Sequence, residues 1–130
     1  MIKTISLFLT MFLSNLKHVD TKVKTSIYES SIPPDCKKLF LALTIFESSW
    51  HKNKRAVSLN NYSGYMYKGR LKHFKSLYVY KKFVEKWFQK KHIKNRKQFE
   101  QLILNGKYAN LSKNNCKKYL KNIIRIEKTI

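Results

Sequence analysis

An α+β fold dominated by α-helix, with one small β-hairpin, is what this 130-residue sequence predicts. Three observations lead there. Three glycines and two prolines are too few for a turn-rich all-β chain. Apolar residues recur at helical spacing over most of the length. The stretch from Tyr65 to Phe74 reads as two short strands joined at Lys68-Gly69. The length suits one core and one domain, residues 1–130, and no linker or internal repeat divides it.

The elements follow in order. Lys3 precedes an apolar run from Ile5 to Leu13, which reads as a short signal segment. Ile5, Phe8, Leu9, Phe12, Leu13 and Leu16 also share one helical face. No small-residue cleavage site follows, so a retained helix over residues 1–18 is favoured and a signal stays open. The run is too short to span a bilayer. Asp20 caps a second helix through Tyr28. Pro33-Pro34 breaks the chain and starts the next helix, expected over Asp35 to Trp50. From Leu39 to Phe46 that helix is apolar almost all round, the pattern of a central buried helix. A loosely helical basic stretch, His51 to Leu59, leads to the loop Asn60-Asn61-Tyr62-Ser63-Gly64. After the hairpin, Ser76 caps a helix to Gln89. Another runs from Arg96 to Leu104 and stops at Asn105-Gly106, and a last one runs from Lys113 to Ile126.

Lys and Arg total 28 against 7 Asp and Glu, a net charge of +21. Self-repulsion of that size points to a polyanionic partner: nucleic acid, an anionic wall or a membrane surface. Apolar residues at 43% and aromatics at 14% supply a core and exclude a disordered tail. The acids do not cluster, and the histidines show no ligand spacing with Cys36 or Cys116, so no metal or other cofactor is expected. Two cysteines 80 residues apart are no disulfide scaffold; a Cys36–Cys116 bridge and two free thiols both remain open.

Glu47 stands out. It sits in the most apolar helix, and between Cys36 and Val84 it is the sole acid. A carboxylate buried without a partner raises its pKa and keeps its proton, which makes it a general acid. Trp50, three residues on, would share its helical face. The plainer reading is a helix-edge carboxylate paired with one of the many cations.

The run Leu41-Ala42-Leu43-Thr44-Ile45-Phe46-Glu47-Ser48-Ser49-Trp50 resembles the catalytic helix of the bacterial and phage glucosaminidases, peptidoglycan hydrolases of lysozyme-like fold. That helix ends in Glu-Ser-Gly-Trp, with Ser49 here in place of the glycine. Asn60-Asn61-Tyr62-Ser63-Gly64 is similar to the family's next loop, and Phe74-Lys75-Ser76 with Tyr80 to its hairpin-to-helix step. Gly106-Lys107-Tyr108-Ala109 matches a Gly-Tyr-Ala element with one inserted Lys, and Tyr119 to Ile124 the closing turn. The resemblance covers residues 32–126. It implies cleavage of the glycan strand, as N-acetylglucosaminidase or muramidase, with Glu47 as acid. It also implies a secreted, periplasmic or virion-associated protein, a monomer or part of a larger assembly.

Glycoside hydrolysis usually takes two carboxyl groups. Asp35, three turns before Glu47, would lie about 18 Å away, which exceeds either working separation. Glu85 sits among Lys81, Lys82 and Lys86, and reads as a solvated ion pair. The substrate's own N-acetyl group, or a water placed by Tyr108, Tyr65 or Tyr67, would then complete the reaction. Trp50, Tyr62, Tyr65, Tyr67 and Phe74 are candidates to stack on sugar rings, and Asn60 and Asn61 to bond the acetamido group. Core packing competes for Phe74, and turn chemistry competes for the asparagines. Anionic wall polymers join peptidoglycan as expected partners. The rival class is a binding module, either a lysozyme-like domain without chemistry or a nucleic-acid binder. The basic run Lys81 to Lys97, interleaved with Phe83, Trp87 and Phe88, supports the latter.

Overall fold

The computed structural model describes residues 18–130, so the N-terminal apolar run lies outside the described residues. The order is α1 (Thr21–Glu29), a 3-10 turn (Pro34–Cys36), α2 (Lys37–Glu47), α3 (Lys54–Ser58), β1 (Met66–Tyr67), β2 (Arg70–Leu71), α4 (Leu77–Lys90), α5 (Arg96–Leu104) and α6 (Lys113–Glu127). The protein is mostly helical with one two-stranded antiparallel sheet, an α+β arrangement. No helix among the described residues is long and apolar enough to cross a membrane.

The apolar helix is central, as its composition requires. Every residue of α2 from Leu39 to Ile45 is buried, and α2 packs along α6 and against α1. Side-chain caps begin five helices: Asp20, Asn53, Ser76, Asn95 and Ser112 each accept from a backbone N–H three residues on. The hairpin pairs Met66 with Leu71 and Tyr67 with Arg70. Its two turn residues, Lys68 and Gly69, have φ +50° and +76°, the left-handed pair that the right-handed strand twist demands.

Most of the scarce acids hold the frame. The Arg96 guanidinium donates two bonds to Glu127, at 2.5 and 2.7 Å, and one to Glu100 at 3.1 Å. The Arg96 N–H donates to Asp35 at 2.9 Å, so the 3-10 turn, α5 and α6 meet at one residue. Glu85 is nearly buried rather than solvated: it accepts the Ser31 N–H at 2.7 Å and tethers α4 to the chain beyond α1. Its ion pair to Lys82, at 3.4 Å, is secondary. Cys36 and Cys116 are buried and free, and burial beside Asp35 pushes the Cys36 thiol up to about 12.

The central helix ends three residues short of Trp50. Ser49, Trp50 and His51 take φ of +50°, +61° and +61°, left-handed values that cost a residue with a Cβ about 1–2 kcal/mol each. Three contacts hold this turn. Ser48 Oγ donates to Thr44 O at 2.5 Å and accepts the His51 N–H at 3.0 Å, and Trp50 N–H donates to Ile45 O at 2.8 Å. The His51 side chain, only 5% exposed, adds a further anchor. Thr44 spends its hydroxyl hydrogen on Leu41 O (2.7 Å), so its oxygen accepts from His51 Nε2–H at 3.0 Å. The Asp20 N–H donates to His51 Nδ1 at 3.1 Å. The ring is therefore neutral, with its proton on Nε2.

Candidate active site

Glu47 is the last residue of α2 and lines a cleft of about 460 Å³. One wall is the loop Ser63 to Met66, leading into β1; the other is Tyr108, Ala109 and Asn110, leading into α6. Among the described residues no cation lines the cleft and none pairs with Glu47, in a chain of net charge +21. Glu47 Oε1 instead accepts a hydrogen bond of 2.5 Å from the Tyr119 hydroxyl on α6. Burial raises the carboxyl's pKa, and the Tyr119 bond lowers it in part.

Glu47 Oε2 faces Gly64. A Cβ at Gly64 would stand 2.9 Å from that oxygen, closer than such atoms approach, and the residue has φ +71°. The left-handed φ favours glycine because it lets the loop turn, and the missing Cβ leaves the Glu47 carboxyl end where a methyl would make it shift. Behind the cleft the tyrosines form one body. Tyr108 stacks on Tyr119 at 6.3 Å and meets Trp87 edge-on at 5.6 Å. The Tyr108 hydroxyl donates to Ser63 O, and Ser63 Oγ bonds the Tyr80 hydroxyl. The Tyr65 hydroxyl is buried and has no hydrogen-bond partner among the described residues. Burial holds the Tyr65, Tyr108 and Tyr119 phenols above the ordinary tyrosine range, so all three stay protonated at neutral pH.

Of the residues singled out in the sequence, Glu47, Tyr65 and Tyr108 meet at this cleft. The others do not. Tyr67 is 58% exposed on the far side of the hairpin, because successive strand residues point to opposite faces. Trp50 leaves the face of Glu47 because the helix stops before it, and it packs partly buried against the core. Tyr62, 7% exposed, lies between His51 and Tyr80; Phe74, 1% exposed, packs on Tyr80 and Phe83. Asn60 donates to Phe74 O, and Asn61 donates to Tyr65 O and Lys72 O while accepting Tyr65 N–H. These four residues build the loop that carries Gly64, and a stacking or acetamido-binding role falls away for them.

Tyr119 is the site residue that the sequence reading missed as a partner of Glu47. Its signal was a hydroxyl-bearing aromatic at the buried face of α6, next to Leu120 and one turn before Ile123. No group of three or more His, Cys, Asp or Glu side chains suited to a metal ion lies together among the described residues. No family model, curated protein or solved structure matches this chain.

Proposed function

We propose that this protein is a glycoside hydrolase of peptidoglycan, built as a lysozyme-like domain, with Glu47 as its general acid. The observation that carries the reading is the carboxyl's environment. It is half-buried at the mouth of a cleft, with no cation lining that cleft among the described residues, and hydrogen-bonded to one phenol. Burial that raises the carboxyl's pKa favours its protonated form, the form that can give a proton to a leaving group. Parts of the glucosaminidase-like motifs line the cleft: Ser63-Gly64, the end of the Asn-Asn-Tyr-Ser-Gly loop, lies in one wall, and Tyr108-Ala109 in the other.

Glu47 is the one acid lining the cleft, so the second function comes from the substrate. Glu47 gives its proton to the glycosidic oxygen as the C1–O bond breaks, the electron pair leaving with that oxygen. The carbonyl oxygen of the substrate's 2-acetamido group attacks C1 and forms a cyclic oxazolinium ion. Water then opens that ring at C1, and the Glu47 carboxylate takes the water's proton, which restores the acid. The Tyr119 hydroxyl donates to Glu47 in both states and holds the carboxyl's orientation. Tyr108, its hydroxyl engaged by Ser63, stiffens the wall rather than placing water.

Purified peptidoglycan incubated with wild type and Glu47→Gln tests this. Release of reducing ends should fall at least about a thousandfold in the variant, the order expected when proton transfer and orientation are lost together. Equal release by the two proteins, or none by the wild type on any N-acetylated glycan, overturns the proposal.

A further inference from the structure

The hairpin has two faces, and only one belongs to the cleft. Met66 lines the Glu47 cleft, while Tyr67 lines a second groove of about 680 Å³ on the outer side with Lys68, Arg70, Lys72 and His73. That groove runs on past Lys75 to Lys86 of α4. No acidic side chain lines either stretch. Most of these cations are exposed, Lys68 lying 5.4 Å from the Tyr67 centroid alone, but Lys72 meets three rings. Its Nζ lies 5.1 Å from the centroid of Tyr67, 5.7 Å from that of Phe74 and 5.1 Å from that of Phe83. Its backbone is pinned as well: its N–H donates to Tyr65 O, and its carbonyl accepts from Asn61. An ammonium fixed among three rings, shared by both stretches of the groove and unpaired with any carboxylate, is preorganised for an anion.

We propose that this outer groove, anchored by Lys72, binds the carboxylate-bearing peptide arm of a peptidoglycan strand whose sugars occupy the Glu47 cleft. The inference rests on the hydrolase reading above and adds recognition of the substituent to recognition of the sugar. The geometry suits an arm. Met66 in the cleft and Tyr67 in the groove are consecutive residues of one strand, so the hairpin itself is the ridge between the two. Carboxylates along the arm meet Lys72 first, then Lys68 and Arg70 at the hairpin tip.

The test uses Glu47→Gln protein, which leaves the ligand uncut, and three ligands: glycan strands with their peptide arms, the same strands with the arms removed, and the free acidic peptide. Armed strands should bind about tenfold tighter than bare ones at low salt, the order of one well-placed charge-assisted contact. Adding Lys72→Met should remove most of that preference, and leave bare-strand affinity and the melting temperature unchanged. Lys68→Gln with Arg70→Gln, both on an exposed tip, should act in the same direction without touching the aromatic packing. Equal binding of armed and bare strands, or a preference that survives both sets of substitutions, overturns the proposal. So does an oligonucleotide of equal charge that binds as tightly as the armed strand, since the groove would then be an undiscriminating polyanion surface. Lys72-dependent binding of the free peptide with no binding of bare strands would support the groove while sinking the hydrolase reading.

Discussion

Lowering the pH from 7.5 to 4 should destabilise this protein through one imidazole. His51 is neutral in the fold because both ring nitrogens are committed: Nδ1 accepts the Asp20 N–H, and Nε2–H donates to Thr44. A proton added at Nδ1 would point at another N–H. Burial is the largest influence against the charged form, Lys52 adds to it, and the Asp20 carboxylate opposes it. The edge of the Tyr62 ring, 5.4 Å away, closes the remaining side. The result is a value of about 4 against 6.5 for a free ring. The sign follows from that order. Above pH 6.5 the ring is neutral in folded and unfolded chains alike, and pH has no effect through it. Between 6.5 and about 4 the unfolded chain takes a proton that the fold refuses, so stability is lost as pH falls. At about 1.4 kcal/mol for each pH unit, the gap comes to about 3 kcal/mol. That is a large part of the total stability of a domain this size. Urea unfolding of wild type and His51→Gln at pH 7.5, 5.5 and 4 measures it. The stability advantage of the wild type should shrink by about 3 kcal/mol across the series, and other titrating groups cancel in the difference. Parallel curves for the two proteins would refute the neutral-ring argument.

Two substitutions probe the cleft. Gly64→Ala places a methyl against Glu47 Oε2 and strains a residue at φ +71°; it should cost about 1–2 kcal/mol in chemical unfolding. Because it displaces the acid, it should also reduce lysis about a hundredfold, where substitution at an exposed loop position should do neither. Tyr119→Phe removes the hydrogen bond that holds the Glu47 pKa down, which leaves burial unopposed. Glu47 then keeps its proton to higher pH, and the alkaline limb of the lysis profile should move upward; a limb that stays or moves down contradicts the assignment of Glu47 as the acid.

Much of the scaffold was legible because it rests on local rules. The apolar run Leu39 to Phe46 placed α2 at the centre, since almost no polar face was left to meet water; burial extends to Ile45, and Phe46 is exposed. Ser76 and Asn105-Gly106 marked helix ends, and Lys68-Gly69 marked a turn, because each satisfies backbone groups within a few residues. Glu47 stood out because an acid in such a helix is an exception to its surroundings. What escaped was decided across the fold. Trp50 was assigned to the face of Glu47 by helical spacing, yet His51, buried between Asp20 and Thr44, forces three left-handed residues and ends the helix first. Tyr65 and Tyr67 are two residues apart, a spacing that strand alternation would put on one face, but Tyr65 precedes β1 and packs on Phe83, Trp87 and Tyr108 while Tyr67 lines the outer groove.

Composition and spacing alone determined a cationic, mainly helical domain with a single misplaced acid, since charge and periodicity are properties of the chain itself. Which of eight tyrosines would touch that acid was decided only when α6 packed along α2 and brought Tyr119 to Glu47 across 72 positions of sequence. Contacts at that separation depend on how whole helices fit together, and no local pattern encodes them.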